Sequence, residues 1–515
     1  MRHFASKLAP LALCALALLS LPARADTPAE AGEKLRTFLD GIPDLGPGYA
    51  VVVVDREGRV LDYVRGTRNA GTGAPLTLDT PIYIASQTKS YMGLLAQRLD
   101  RRGVLRLDST LAEQWPGLDW PDGFEPGAWT LSDLLNHRVP ISADAITELE
   151  AYVQAPDPAA YPRLLETFAE PREPGFRYDN LGYNIYAAIL AAKTGKRWQD
   201  WLEEEVFTPL ELRHTSARTS DFSAGTLAYS HVWVGGPRGW EVVPPKTDAI
   251  MQSAGGMVTS PNDMARWLRF QLGAVQAPGI DAGVLDAAHR IGAQVDPKAK
   301  NAYELPCSGY AFGWNACDFR GHRLYIHGGG YTGARTMMAF APDLGIGIGV
   351  FSNSDNMTGW LTSRTVVQYL QYLTDQTDAD EWAQERQKQY PQRIAKLLAS
   401  RRGDIAEARA DAAWGGWTWK PDARALAEFS GRYTNTRLSV AVDLVPATDG
   451  LLLRQGAWRQ RLAPATPDVF AATWLALDPP EAVRFQRDGD GRITGFEYDG
   501  DRYVRQAQAT AAPLR

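Results

Sequence analysis

The 515-residue chain has little of what several classes of protein need. It has only three cysteines and seven histidines, and the histidines show no spacing typical of metal ligands. Its formal net charge of -6 provides no basic excess for nucleic acid or for an anionic membrane surface. Phosphate-binding loops, dinucleotide fingerprints, internal repeats and low-complexity tracts are also missing. We therefore expect no metal, no other cofactor and no nucleic acid partner.

Long apolar runs are absent after the first 25 residues, so no membrane span is expected. Those first residues are typical of a secretory signal peptide. A positively charged start precedes an apolar segment, Leu8 to Leu21, that is too short to span a bilayer, and a small-residue cleavage site follows at residues 23–25. We expect the mature chain to begin at Asp26 and the protein to be periplasmic or secreted.

Two cysteines, Cys307 and Cys317, would remain after cleavage of residues 1–25. An oxidising compartment permits a disulfide between them, which would close a short loop around a predicted hairpin. Two separate buried thiols are the alternative, because a disulfide depends on a geometry that the sequence does not give.

The hydrophobic pattern predicts an α+β fold for residues 26–377. Tyr49–Asp55 and Arg59–Arg65 are strand-like runs on either side of a turn, and residues 105–216 are mostly helical in pattern. Strand patterns then return, at Tyr310–Trp314, Arg323–His327, Thr336–Phe340 and Gly345–Asn353. Because strands lie at both ends of this region, we expect a sheet that joins early and late segments.

The last part of the chain has a different character. Residues 378–424 are charged with helical spacing at their start, which predicts a helical linker. Residues 425–515 alternate in the manner of strands, with Leu438, Val440, Val442 and Leu444 on one face and Asp-Gly turns further on. This pattern predicts a separate small antiparallel barrel or sandwich.

Ser86 and Lys89 lie three residues apart where the pattern changes from strand to helix. A serine hydroxyl is a poor nucleophile until a base takes its proton, and lysine is such a base only when burial or nearby cations lower its pKa. A helix N-terminus also leaves the backbone N–H of Ser86 free to bind an oxyanion. Taken alone, the pair is a weak signal and favours a structural serine with an exposed lysine.

The surroundings of this pair resemble the serine β-lactamase-like family, which includes class C β-lactamases, DD-peptidases, D-aminopeptidases and related esterases. The matching segments come in the family's order, at Pro81–Lys89, Asp133–His137, Phe176–Tyr183, Ala254–Met257 and His327–Gly329. The resemblance extends over about residues 40 to 375, and the ordered set is far more specific than any one member. It implies an antiparallel sheet flanked by helices, with a helical subdomain.

The resemblance also implies roles for individual residues. Ser86 would be the nucleophile, Lys89 its base, and Tyr178 the phenol that relays protons to the leaving group, with a pKa lowered by Lys89. Asn180 would bind Lys89 and the substrate amide. Asp179, where the family usually has a small residue, would either face the cleft and favour a cationic amine or cap a turn.

The last matched segment bears on specificity. Where β-lactamases have a lysine, this chain has His327, which is mostly neutral at pH 7, donates one hydrogen bond, and anchors a carboxylate more weakly. The pattern resembles the His-x-Gly motif of D-aminopeptidases, completed here by Gly329. Gly330 would offer the second oxyanion N–H. Lys246 and Thr247 are followed by Asp248 and not by the glycine of a Lys-Thr-Gly motif, so Lys246 is expected at the surface.

Together these features predict an exported serine hydrolase that forms an acyl-enzyme on a peptide or amide containing a D-amino acid. A carboxylesterase and a catalytically weak penicillin-binding sensor are the alternatives. The expected partner is a small-molecule or peptide substrate, and the oligomeric state is not predicted. The C-terminal part resembles the lipocalin-like barrel appended to many such hydrolases, which would either shape the cleft or be a passive appendage.

Overall fold

The computed structural model describes residues 26–223, 225–235, 239–354, 359–374, 377–437, 440–456, 458–475 and 477–506. The predicted signal peptide, residues 1–25, lies outside the described residues, as does Leu438. Within these ranges, no helix combines the length and apolar character that crossing a bilayer requires.

The strands belong to one large sheet, one closed barrel and three short two-stranded pairs. In chain order they are β1 (Gly48–Asp55), β2 (Arg59–Asn69), β3 (Ala74–Pro75), β4 (Ile82–Tyr83), β5 (Ile141–Ser142), β6 (Glu170–Pro171), β7 (Ser230–Gly235), β8 (Gly239–Val243), β9 (Val258–Thr259), β10 (Ala293–Gln294), β11 (Cys307–Ala311), β12 (Trp314–Phe319), β13 (His322–Tyr331), β14 (Ala334–Ala341), β15 (Ile346–Ser352), β16 (Gly431–Asn435), β17 (Ala441–Ala447), β18 (Gly450–Gln455), β19 (Trp458–Thr466), β20 (Val469–Ala472), β21 (Glu481–Arg487), β22 (Ile493–Tyr498) and β23 (Asp501–Arg505).

The α-helices concentrate between β4 and β10 and around the junction with the barrel. They are α1 (Pro28–Asp40), α2 (Thr88–Arg101), α3 (Leu111–Gln114), α4 (Leu131–Leu135), α5 (Asp144–Glu148), α6 (Tyr161–Phe168), α7 (Leu181–Thr194), α8 (Trp198–Leu202), α9 (Pro261–Gln271), α10 (Ala282–Ala288), α11 (Gly359–Leu373), α12 (Ala379–Ala410) and α13 (Ala423–Ala427).

The large sheet joins the beginning and the end of its region. Its nine strands are ordered β10-β11-β12-β13-β14-β15-β1-β2-β3, and neighbouring strands are antiparallel. Tyr49 of β1 pairs with Arg65 on one side and with Ser352 on the other. The predicted α+β fold, an antiparallel sheet flanked by helices, is confirmed.

Two hydrophobic cores lie on opposite faces of this sheet, because alternate residues of a strand point to opposite sides. Ala50, Val52 and Val54 belong to the core that includes α2, α7 and α9. Val51 and Val53 belong to the core that includes α1, α11 and the first turns of α12. Both faces of β1 are therefore buried, which explains why its sequence is a continuous apolar run.

The single strand predicted at Tyr310–Trp314 is wrong, because the chain reverses within it. Phe312 and Gly313 have φ angles of +39° and +100° and form the turn between β11 and β12. A Cβ atom at Gly313 would lie 2.3 Å from the backbone nitrogen of Ser90, so the turn packs directly on α2. The sequence hides this turn because Ala-Phe-Gly-Trp carries none of the usual two-residue hairpin signals.

Cys307 and Cys317 face each other across β11 and β12 and form a disulfide. Of the two possibilities that the sequence left open, the structure contains the bridge. The bond ties β11 to β12, and β12 is the neighbour of β13, which borders the candidate active site.

Strands β16 to β23 form a closed antiparallel barrel in which the last strand pairs with the first. Its interior is filled by large side chains, among them Tyr433, Phe470, Phe485 and Phe496. The predicted small antiparallel barrel is confirmed.

Candidate active site

A tight turn between β4 and α2 carries Ser86. Ala85 has a φ of +46°, a conformation that residues other than glycine rarely adopt, and Ser86 follows it in a single 3-10 turn. The N–H of Ile84 donates to the carbonyl of Met257, and the hydroxyl of Thr88 donates to the carbonyl of Ala85. These bonds fix the turn at the edge of a cavity of about 720 Å³ that Ser86 lines.

The amine of Lys89 lies beneath this cavity and is fully buried. Its Nζ atom is 3.2 Å from Oγ of Ser86, 2.8 Å from Oδ1 of Asn180 and 2.9 Å from the carbonyl oxygen of Ala254. All three neighbours are uncharged. Burial lowers the pKa of Lys89 from its ordinary value near 10.5 to about 7, although the charge of Asp179 acts in the opposite direction. A neutral amine is therefore accessible near physiological pH, which is the form that a base requires.

Tyr178 contributes a phenol next to the same pair. The Lys89 Nζ atom lies 4.8 Å from the centre of its ring, and 42% of the residue is exposed. Its hydroxyl end is nevertheless removed from water, which raises the pKa of Tyr178 well above its ordinary value, while a hydrogen bond with Ser86 opposes that shift. The expectation that Lys89 lowers this pKa is wrong, because desolvation dominates. Tyr178 is thus a protonated hydroxyl that can pass a proton on, whereas Lys89 is the resting base.

Asp179 points away from Ser86 and towards the start of α7. Its Oδ1 atom accepts a hydrogen bond from the N–H of Gly182, at 3.3 Å, and lies 3.7 Å from Nδ1 of His137. Desolvation alone would raise the pKa of Asp179, but hydrogen bonding and the neighbouring His137 lower it overall. Of the two alternatives for Asp179, facing the cleft or capping a turn, the structure shows the cap.

His327 is buried at the side of the cavity, on β13. Its Nδ1 atom is 2.8 Å from the carbonyl oxygen of Gly328, so this nitrogen carries the proton, and Nε2 lies 3.5 Å from the Tyr310 hydroxyl. Burial, together with the nearby Lys89, lowers the pKa of His327 to about 3. The ring is neutral, as expected, but its one N–H serves the protein backbone. The expected hydrogen bond from His327 to substrate therefore has no free donor in this conformation.

The glycines after His327 bring β13 against the turn that carries Ser86. A Cβ atom at Gly329 would lie 2.0 Å from the carbonyl oxygen of Ile84. Only glycine permits this approach. Gly330 lines the same cavity as Ser86, and the atoms nearest to a Cβ atom there would be those of the Arg335 guanidinium, the first at 2.8 Å.

Arg335 lines the cavity and was not found by sequence reasoning. It lies on β14 directly opposite Gly330, and its Nη1 atom donates to the carbonyls of Tyr331 and Ala334, both at 3.1 Å. In the part of the chain that the structure describes, no carboxylate pairs with it. The sequence signal was an arginine in a mostly apolar strand, and its position at the cavity follows from the register of β13 and β14.

Lys246 was expected at the surface, and that expectation is wrong. Only 7% of the residue is exposed, and its Nζ atom lies 3.9 Å from the centre of the Tyr331 ring and 3.4 Å from the Tyr83 hydroxyl. Aromatic faces thus replace water around the amine. Burial lowers the pKa of Lys246 to about 7.

The structure therefore brings Ser86, Lys89, Tyr178, Asn180 and the His327–Gly330 strand together around one cavity and its floor. Over the described ranges, no cluster of three histidine, cysteine or acidic side chains has the geometry of a metal site. The arrangement can activate a hydroxyl nucleophile with an uncharged amine and present backbone N–H groups to an oxyanion.

Comparisons with known proteins find relatives and fold neighbours of this chain. Penicillin-binding protein 4 from Amycolatopsis lactamdurans is 26% identical over 325 residues, which cover 61% of this chain and 83% of that protein. The structure of an octameric penicillin-binding protein homologue from Pyrococcus abyssi superposes with a TM-score of 0.57 at 19% identity, covering 92% of this chain and 99% of that one.

D-amino acid amidase from Ochrobactrum anthropi SV3 gives a TM-score of 0.55 at 19% identity, covering 67% of this chain and 98% of that one. At such identities the structural likeness concerns the fold. The family model described as Beta-lactamase matches residues 41–368, which is more than half of the chain. The chain therefore belongs to the Beta-lactamase family and is a serine hydrolase of the β-lactamase fold.

Proposed function

We propose that this protein is an exported hydrolase that acylates Ser86 and cleaves peptides or amides containing a D-amino acid. The observation that carries the proposal is the buried Lys89 amine, which lies 3.2 Å from the Ser86 hydroxyl among uncharged groups. Such an amine is a base near neutral pH, and a serine next to a base is a nucleophile.

In the proposed reaction, Oγ of Ser86 attacks the substrate carbonyl carbon while its proton passes to Lys89. The backbone N–H groups of Ser86 and Gly330 stabilise the oxyanion. When the C–N bond breaks, the leaving nitrogen takes the proton from Lys89 through the hydroxyl of Tyr178. Water then attacks the ester carbonyl while Lys89 takes a proton from that water. Lys89 returns this proton to Oγ of Ser86 as the acid leaves.

The substrate class rests on two supports. The neutral His327 provides no cation at the position where β-lactamases have a lysine, which disfavours efficient turnover of β-lactams. A fold neighbour is named a D-amino acid amidase, and a relative is named a penicillin-binding protein. Both names belong to other proteins, and the amidase name is the one that supports a substrate containing a D-amino acid.

Export is supported by the signal-like character of residues 1–25 and by the pairing of Cys307 with Cys317. Disulfides persist mainly in oxidising compartments. We propose a periplasmic or secreted location.

The test is covalent labelling followed by a substrate comparison, with purified residues 26–515. A fluorescent phosphonate should label wild type and Ser90→Ala, a matched control for a buried serine one turn along α2, but not Ser86→Ala. D-aminoacyl amides should be hydrolysed faster than their L-enantiomers and faster than nitrocefin. Labelling of Ser86→Ala would refute the assignment of Ser86 as the nucleophile. Preferential hydrolysis of p-nitrophenyl esters would favour a carboxylesterase, and an unreactive Ser86 would favour a sensor.

A further inference from the structure

A second cavity, of about 360 Å³, shares no lining residue with the cavity at Ser86. It lies among α7, the turn Leu149–Val153, the start of α8 and residues 248–253, and Gly456 of the barrel closes one side. The volume is in the range of small-molecule sites. Nothing in the proposed hydrolysis uses this cavity.

Glu150 is a buried carboxyl group that lines this cavity, with 4% of the residue exposed. Both of its hydrogen bonds go to one oxygen, because the Tyr161 hydroxyl and the Asn184 amide nitrogen each donate to Oε2. No donor among the described residues reaches Oε1, and that atom is not sealed from the cavity. No cation offsets the burial, which raises the pKa of Glu150 to about 8.

Gln199 also lines this cavity, but its Oε1 atom is enclosed by the protein and does not face the cavity. The residue is 9% exposed, and within the described ranges its Oε1 atom accepts no hydrogen bond. A buried acceptor left unpaired costs about 1–3 kcal/mol, so such groups are normally satisfied by protein, water or ligand. Oε1 of Glu150 is the unpaired oxygen that remains open to this cavity, and a ligand that donates a hydrogen bond satisfies it when Glu150 is ionised.

The charges around the cavity indicate whether a charged or an uncharged hydrogen-bond donor fits better. Three carboxyl groups line it, those of Glu150, Asp157 and Asp248, against one guanidinium, that of Arg197. An anionic ligand is therefore disfavoured, and a positively charged donor is favoured. Apolar side chains complete the lining, among them Trp198, Met251, Ala188 and Ala191.

We propose that this cavity is a binding site for the ammonium group of a small primary amine, distinct from the site at Ser86. The ammonium group donates to Oε1 of Glu150, and Glu150 releases its proton to solvent as the ion pair forms. The aliphatic part of the amine packs on Trp198 and on the alanines of α7. This site does not depend on the proposed hydrolysis.

The experiment measures binding of 3-methylbutan-1-amine by calorimetry and thermal unfolding, with full-length mature Ser86→Ala so that no acylation contributes. The uncharged analogue of the same shape, 3-methylbutan-1-ol, is the matched ligand. We expect the amine to bind and the alcohol to bind at least tenfold more weakly. Equal affinity of the two compounds would overturn the proposal, because the carboxylate of Glu150 would then play no part.

Two substitutions locate the site. Glu150→Gln keeps an acceptor for Tyr161 and Asn184 but removes the charge, and we expect at least a tenfold loss of amine affinity. Ala191→Leu fills the cavity without touching Glu150 and should cause a similar loss, so it decides the matter if Glu150→Gln does not fold. Glu148→Gln, an exposed glutamate just before this turn, is the control and should bind as the parent does. Unchanged affinity in Ala191→Leu, or an equal loss in Glu148→Gln, would place the amine elsewhere.

Discussion

The amine of Lys89 lies 3.2 Å from the hydroxyl of Ser86, and no carboxylate of the described residues forms an ion pair with it. A buried lysine without a counter-charge loses its proton more easily than one in water. With a pKa lowered to about 7, Lys89 can present a neutral amine to the Ser86 hydroxyl near neutral pH, which acylation requires.

The first prediction concerns pH. Because the pKa of Lys89 is lowered to about 7, the basic form grows as pH rises through 7. The acylation rate of Ser86 should therefore increase between about pH 6 and 8 and reach a plateau above that range. Stopped-flow acylation with a p-nitrophenyl ester from pH 5 to 9.5 measures this profile. A rate that keeps rising towards pH 10 would mean that Lys89 has its ordinary pKa.

Lys89→Arg is the matched variant for this prediction, because it keeps a positive charge but cannot act as a base at these pH values. We expect acylation to fall by about three orders of magnitude, as for other activated nucleophiles. Near-normal activity in this variant would mean that another group accepts the proton of the Ser86 hydroxyl.

The second prediction uses neighbouring glycines. A Cβ atom at Gly329 would lie 2.0 Å from the backbone carbonyl of Ile84, so Gly329→Ala must push β13 away from Ser86. A displacement of about 1 Å in a catalytic group costs roughly a hundredfold in rate. At Gly330 the nearest obstacle is the flexible end of Arg335, so Gly330→Ala should lose far less. Rates of phosphonate labelling compare the two, and equal losses would contradict this account of β13.

Much of this arrangement could be predicted from the sequence, for reasons that are local. Ser86 and Lys89 are three residues apart at a helix start, so helix geometry alone places them on one face. The apolar runs of β1 and β2 likewise predict strands. These features depend on neighbours in the chain, which a sequence displays directly.

What the sequence did not reveal depends on distant contacts. Lys246 is buried because Tyr331 and Tyr83 cover it, and Arg335 reaches the cavity because of strand register. The tautomer of His327 follows from one carbonyl at 2.8 Å. Each of these facts needs the folded backbone, since a residue type alone does not tell which groups surround it.

The third prediction concerns the disulfide. Cys307 and Cys317 are ten residues apart, and closing a loop of that size should contribute about 2–3 kcal/mol to the free energy of unfolding. The double variant Cys307→Ser, Cys317→Ser should unfold at a correspondingly lower urea concentration. Wild type treated with a reductant is the control and should shift in the same direction. Identical unfolding of oxidised and reduced wild type would show that the bridge adds no stability.

The last prediction concerns the anchoring of α2, the helix that carries Lys89. Glu205 forms ion pairs with Arg98 of this helix and with Arg102, the residue directly after it. Only 4% of the Glu205 side chain and 12% of the Arg98 side chain are exposed. Removing one partner of a buried pair leaves an uncompensated charge and typically costs about 3–5 kcal/mol. Glu205→Gln should therefore lower the free energy of unfolding at pH 7 by an amount near that range, because Arg98 would stay buried without a counter-charge.

The matched control is Glu204→Gln, whose side chain is 59% exposed in its pair with Lys196 and should cost less than about 1 kcal/mol. The pH dependence separates charge from packing. Desolvation raises the pKa of Glu205, but Arg102 and Arg98 lower it overall, so its folded pKa lies below the unfolded value. Its stabilisation is then complete above the unfolded pKa, near 4.3, and is lost as pH falls through the folded pKa. The difference between wild type and Glu205→Gln in urea unfolding should consequently shrink below about pH 4. A difference that stays constant down to pH 3 would mean that packing, and not the ion pairs, holds α2 at this point.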